Sequence, residues 1–391
     1  MELSQRVQAL QESATLAVSG RAKQLKADGV DVVSFGAGEP DFDTPAHIRQ
    51  ACKDALDAGH TRYATPVAGV NPLREAICGK FKRDNDLDYT PDQVVVTVGG
   101  KHGLYLAFEA LLNPGDEVII PVPYWVSYPE QVKLCGGKVV EVRPDESRDF
   151  KLTADELSAA LTDRTKILVL NSPSNPGGFT YSAAEQRALA EVLADRDIVV
   201  FSDEMYDRLI YTDEPFVSFA NVHEAMYDKT VTFNAISKTY AATGWRCGYA
   251  AGPQPIIKGI TKLQSQETSG TATFIQHAAA AALNGDQGCV AEMRAEFKRR
   301  AEHMHARLNA LPGVRCLQPT GAFYAFPNVA GTYARLGVSG SVEFATKMLE
   351  EAHVALVPGI AFGSDENVRL SFATSTEQID KGLDRLADAL K

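Results

Sequence analysis

KILVLNSPSNPGGFTYSAAEQRALAEVLADRDIVVFSDE, residues 166–204, decides the fold. It opens on an apolar run, KILVLNS (166–172), and passes through a Pro/Gly-rich turn. AAEQRALAEVLAD (183–195) then has helical spacing, and DIVVFSDE (197–204) is a second apolar run. Strand, helix and strand in so short a span make the crossover unit of a parallel sheet. The same rhythm continues in both directions. QVVVTV (93–98), DEVIIPV (116–122) and KVVEV (138–142) come before it, with a helix candidate at KHGLYLAFEALL (101–112). VTFNAIS (231–237) and CGYAAG (247–252) come after it. Apolar runs alternating with helical periods predict an α/β fold, a mostly parallel seven-stranded sheet covered on both faces.

The rhythm changes after about residue 285. VAEMRAEFKRRAEHMHARLNAL (290–311) predicts a long charged helix. AFYAF, VEFATKMLEEA, VALVPG, VRLSFA and a final helix STEQIDKGLDRLADALK follow, which reads as a smaller α+β domain. The first 45 residues fit neither rhythm and are expected to pack with the C-terminal part. The division expected is a large domain at 46–285 and a discontinuous small domain formed by 1–45 plus 286–391.

The chain has 391 residues, 45% apolar and 23% charged, enough for two domains with substantial cores. A net charge of −11, with the charges interspersed, argues against a nucleic-acid partner. Six cysteines at 52, 78, 135, 247, 289 and 316 form no CxxC pair and read as free thiols, mostly core fillers. The N-terminal MELSQRVQALQESATLAV has no basic start followed by an apolar run, and no stretch approaches membrane-spanning length. The expectation is a cytoplasmic protein without a membrane partner.

In open α/β sheets, ligands bind beyond the carboxyl ends of the strands. Gly99-Gly100 follows the first strand and opens a helix. It reads either as an anion cradle of backbone amides or as a tight turn. Asp203 ends an apolar run, with Tyr206 one helical turn further on. Together they address one flat ring, or they serve as a helix N-cap acid and a packing tyrosine. The strongest stretch is NAISKTYAATGWRCGY (234–249). Lys238 follows a buried strand among few charges, where an amine loses its proton more readily and attacks carbonyls. Eight residues later, Arg246 sits in a glycine-flanked turn with room for a phosphate.

SKTYAATGWRCGY resembles the lysine signature of class I aminotransferases. The resemblance extends in family order over nearly the whole chain. It takes in GAGEPDFDTP (36–45), RYATPVAGVNPLREA (62–76), TVGGKHGL (97–104), PVPYWVSYP (121–129), NSPSNPGG (171–178), SDEMYDRL (202–209), the lysine segment and VRLSFATS (368–375). It implies the type I fold of pyridoxal-phosphate enzymes and pyridoxal 5'-phosphate as cofactor. By the resemblance, Lys238 forms the internal Schiff base and then shuttles the proton. Asp203 pairs with the pyridine nitrogen, Tyr206 and Asn175 bond the ring's 3′ oxygen, and Trp125 stacks on the ring. The backbones of Gly100 and Lys101, with Ser237 and Arg246, hold the phosphate. Tyr63 reaches in from a partner subunit, which implies a homodimer with shared active sites. Arg369 forks the substrate α-carboxylate, and Gly38 sits against the substrate.

Two departures from the pattern bear on function. Ala235 stands where many relatives have Ser or Thr, so Ser237 is expected to substitute as a phosphate donor. Gln11 stands where relatives often carry lysine, which weakens a prephenate-type activity. The hydroxyl of Thr15 and the lysine at 101, which contact a distal carboxylate in the subgroup with GAGEPDFDTP and GGK, are both present. Those two residues imply a dicarboxylic donor, and the resemblance also places Trp125 and Asn175 at the substrate. The expectation is aspartate aminotransferase, passing an amino group from aspartate to 2-oxoglutarate. The alternatives are another donor (aromatic, alanine-like, kynurenine or prephenate/glutamate), another reaction of the same cofactor, and a non-catalytic aminotransferase-like module. That last reading is weakened because GAGEP by residue 36 leaves no room for a DNA-binding domain ahead of it. His303 and His305, two apart on a helix, point away from each other, and no metal site is expected. His102 is expected to pack or cap, and Trp245 to pack. Gly36-Ala37-Gly38 lacks the third glycine of a dinucleotide fingerprint.

Overall fold

A computed structural model describes residues 2–10 and 14–391, without the side chains of residues 14–17 and 19. Its centre is a seven-stranded sheet in the order 94–97, 248–251, 230–235, 199–203, 165–171, 117–121, 138–142. Four neighbouring pairs are parallel, and Gly248–Ala251 runs antiparallel to both of its neighbours. Each strand coincides with an apolar run read from the sequence, those at 165–171 and 230–235 starting one residue earlier than the run. The helices predicted at 101–112, 183–195 and 290–311 form at Gly100–Leu111, Ala183–Leu193 and Gly288–Asn309.

The period of two along the strands explains why both faces are covered. Val118 and Ile120 pack with Ile167, Val169 and Phe201 in one apolar cluster, while Ile119, Leu168, Leu170 and Val200 enter another. A third cluster joins Val33 and Phe35 to Phe297, Phe323, Phe344, Ile379 and Leu383. There Val33–Ser34 pairs in parallel with Val354–Ala355. Tyr324–Ala325, Val368–Ser371 and Val357–Pro358 form a small antiparallel sheet beside it.

Two expectations need adjusting. Residues 204–209 form a turn, held by Asp207 N donating to Glu204 O and Leu209 N to Tyr206 O, so Asp203 caps no helix. All six cysteines are free, but only Cys247 and Cys316 are buried. Among the described residues, no helix is long and apolar enough to cross a membrane.

Candidate active site

The carboxyl ends of the parallel strands, the small antiparallel sheet and the segment 34–39 enclose a cleft of about 760 Å³. The order of the strands creates it. Residues 94–97 lie at one edge of the sheet, while the next strand in sequence, 117–121, lies next to the other edge. The chain therefore leaves neighbouring strands in different directions and opens a crevice between them.

At one end stands the Gly99-Gly100 turn. Gly99 has φ +81°, and a Cβ there would lie 2.5 Å from an Arg246 amino nitrogen. Arg246 itself has φ +56°, a costly conformation for a side-chain-bearing residue, and its Nη1 donates to Thr243 O at 2.9 Å. A Cβ on Gly248 would overlap the backbone of Gly99 and Gly100. Small residues therefore let the arginine sit against the helix N-terminus, where unpaired amides attract anions. Lys101 and Ser237 line the same end.

Asp203 is buried at the end of its strand. Its Oδ2 accepts from Tyr128 Oη at 2.5 Å, and its Oδ1 accepts from Met205 N at 3.2 Å. Burial raises its pKa to about 6, against the lowering effect of these bonds and of Lys238. Trp125 packs edge-to-face on Tyr128, with ring centroids 5.3 Å apart, and walls the cleft. Asn171 braces this part: its Nδ2 donates to Asp203 O at 2.9 Å and its Oδ1 accepts from Asn175 N at 2.8 Å.

Lys238 lies in the single helical turn Ile236–Thr239 just after the strand Thr230–Ala235. Its Nζ donates to Gly38 O. Burial pushes its pKa down to about 8; Glu39 and Asp203 act upward, while Arg369 and Arg246 act downward. Arg369 is buried, with Nη1 donating to Asn175 Oδ1 and Nη2 to Gly36 O, each at 3.1 Å. Its guanidinium lies over the Tyr324 ring at 4.5 Å, and its Nε has no partner. Tyr324 Oη meets Tyr206 Oη at 3.1 Å.

The structure thus brings Gly38, Gly100, Lys101, Trp125, Asn175, Asp203, Tyr206, Ser237, Lys238, Arg246 and Arg369 into one cleft. Tyr63 lies outside it, 86% exposed. The side chain of Thr15, and Gln11 and Glu12 altogether, lie outside the described residues. Tyr128, Asn171 and Tyr324 went unread in the sequence, although Tyr128 and Asn171 stand inside quoted motifs. Their aromatic or amide character at ordinary spacing carried no separate signal. His102 pairs with Glu267 at 3.0 Å and accepts from Val98 N, while His303 pairs with Asp380 at 2.6 Å.

Among the described residues, six basic ones line the cleft (Lys23, Lys26, Lys101, Lys238, Arg246 and Arg369) against the two acids Glu39 and Asp203, in a chain of net charge −11. This concentrates positive potential where anionic ligands enter. The residues fit pyridoxal phosphate. A buried acid suits a protonated ring nitrogen, an arginine beside a helix N-terminus suits a phosphate, and an amine of lowered basicity lies in the same enclosure. The unpartnered Arg369 Nε is a further donor awaiting an acceptor.

A family profile described as aminotransferase class I and II matches residues 30–386. An aspartate aminotransferase of Geobacillus stearothermophilus is 49% identical, covering 99% of this chain and 98% of that protein. An aspartate/prephenate aminotransferase of Cereibacter sphaeroides is 47% identical, covering 98% of this chain and 97% of that protein. The crystal structure of the Rhizobium meliloti aspartate aminotransferase superposes with a TM-score of 0.96 at 42% identity, covering 100% of this chain and 99% of that one.

Proposed function

Because the chain belongs to the class I and II aminotransferases, it is a pyridoxal-phosphate-dependent transaminase, and we propose that it moves the amino group of aspartate to 2-oxoglutarate. One observation carries this reading: Lys238, Asp203 and Arg369 converge in a single enclosed cleft whose other end holds Lys101 and Arg246. When bound, the cofactor supplies an aldehyde that condenses with amines and a protonated ring that accepts the electron pair left when Cα loses its proton.

The chain's own residues do the rest. Lys238 Nζ, basic only to about 8, is the amine that carries the proton taken from the substrate Cα. The Asp203 carboxylate holds the proton at the ring nitrogen, and Tyr128 and Met205 N keep that carboxylate in place. Asn175 accepts from Arg369 through Oδ1, leaving its Nδ2–H group as a donor for the ring's 3′ oxygen beside Tyr206. Gly100, Lys101, Ser237 and Arg246 hold the phosphate, and Trp125 covers the ring. Arg369 grips the α-carboxylate, fixing which Cα bond is cleaved, with Gly38 close by. Lys101, and Thr15 by its place in the sequence, meet the distal carboxylate; burial and Arg246 lower the basicity of Lys101.

The same reading divides the chain into domains at 46–285 and at 1–45 plus 286–391, supported by the pairing of Val33–Ser34 with Val354–Ala355. It makes the enzyme a homodimer in which Tyr63 of one copy reaches the phosphate end of the other, supported by that ring's 86% exposure. It sets the protein in the cytoplasm, supported by six free thiols. The substrate assignment is tested by a donor series. Aspartate should exceed alanine and phenylalanine in kcat/KM by about a hundredfold, the scale set by an unpaired buried cation. A monocarboxylic donor that matches or beats aspartate would overturn the substrate reading while leaving the class intact.

A further inference from the structure

Three contacts tie the segment 38–44 to the lysine loop. Lys238 Nζ donates to Gly38 O, Thr243 Oγ1 donates to Glu39 Oε2 at 2.7 Å, and Thr44 Oγ1 donates to Ala241 O at 2.7 Å. The middle contact brings a carboxylate to the cleft on the residue next to the carbonyl that holds the catalytic amine. Among the described residues, Glu39 and Asp203 are the only two acids lining the cleft, and Asp203 is committed to Tyr128 and Met205 N.

We infer that Glu39 is a positioning residue for Lys238, its carboxylate fixed by Thr243 so that it stabilises the lysine ammonium through space while Gly38 O orients the amine. This rests on Lys238 being the catalytic lysine. The groups facing Lys238 come from four elements: Glu39 from the N-terminal segment, Asp203 from the central sheet, Arg246 from the turn before the antiparallel strand, and Arg369 from the small sheet. Two are anionic and two cationic, and burial works against the charged amine. Glu39 is the largest of the charges favouring the ammonium. The reaction requires that amine to take up a proton and give it back. A carboxylate that steadies the protonated form without accepting the proton keeps the base from becoming too weak to take it. The carboxylate is exposed, so its influence is moderated by solvent.

The test reads the lysine itself. In the cofactor-free protein, the rate of Lys238 acetylation by acetic anhydride, resolved by peptide mass spectrometry across pH, gives the midpoint at which the amine becomes reactive. The wild type should turn over near pH 8. Glu39→Gln keeps an acceptor for Thr243 and removes the charge. It should move the midpoint down by roughly half a pH unit, about threefold more free amine at fixed pH. Glu39→Asp should restore part of the shift. An unchanged midpoint in Glu39→Gln would overturn the role of Glu39 and leave the lysine assignment standing. A wild-type midpoint near the 10.5 of an ordinary lysine would overturn both.

Discussion

Lys80 and Lys238 are both enclosed by protein, and they differ in what surrounds them. Lys80 forms a buried ion pair with Asp207 and donates to Asn85 Oδ1 at 2.8 Å. Nearby, Glu204 Oε1 accepts from Ser218 Oγ at 2.6 Å, Ser202 Oγ at 2.8 Å and Phe219 N at 3.3 Å. Lys238 has a single carbonyl and a cleft. Asp203 and Glu204 are neighbours in sequence, both buried and both raised by burial, to about 6 and about 7. Yet Asp203 lines the cleft and Glu204 does not. Buried charges whose partners are protein groups hold a structure together, whereas buried charges opening on a cavity await a ligand.

The contrast breaks most sharply at the two lysines. Lys238→Ala should fold as the parent does and lose transamination roughly ten-thousandfold. Near-normal turnover would remove the distinction. Lys80→Ala should behave the other way round, because it strands Asp207 as an unpaired buried charge. Denaturant unfolding should show a loss of about 3–5 kcal/mol, while the molecules that remain folded keep their kcat. Full stability with lost turnover would move Lys80 into the catalytic group.

The smallest effect sharpens the comparison. Glu204 is raised from 4.5 to about 7 in the folded protein, so between those values the native state holds more protons than the unfolded chain. Its contribution to stability is complete below about pH 4.5 and is lost as pH rises through 7, by at most about 1.4 kcal/mol per unit. Glu204→Gln removes that dependence. Its stability relative to the parent should therefore improve from pH 5 to pH 8, with turnover unaffected. A difference that is flat with pH would show that Glu204 is not a buried acid of raised pKa.

Much of this was legible in the sequence, for identifiable reasons. The inner strands of the sheet are apolar on both faces, so their runs stand out against helical spacing, whereas the edge strand 138–142 leaves Lys138 and Glu141 exposed. Lys238 and Asp203 are legible because a charge at the end of an apolar run is expensive. The two-residue strands 33–34 and 354–355 are too short to carry a period, and their pairing joins the two ends of the chain. Tyr128 and Tyr324 carry no signal that sets them apart from core aromatics, and both are buried. Only the fold reveals that one hydroxyl reaches Asp203 and the other Tyr206. The clasp of Glu39 on Thr243 spans a long stretch of chain and has no local signature.

The most direct test of the central claim is the absorption spectrum of the purified protein supplied with pyridoxal phosphate, recorded before and after aspartate. The expected result is the near-ultraviolet-to-visible band of a lysine-bound cofactor, absent from Lys238→Ala, which declines as aspartate converts the cofactor to its amine form. A protein that develops no such band with the cofactor in excess would contradict it.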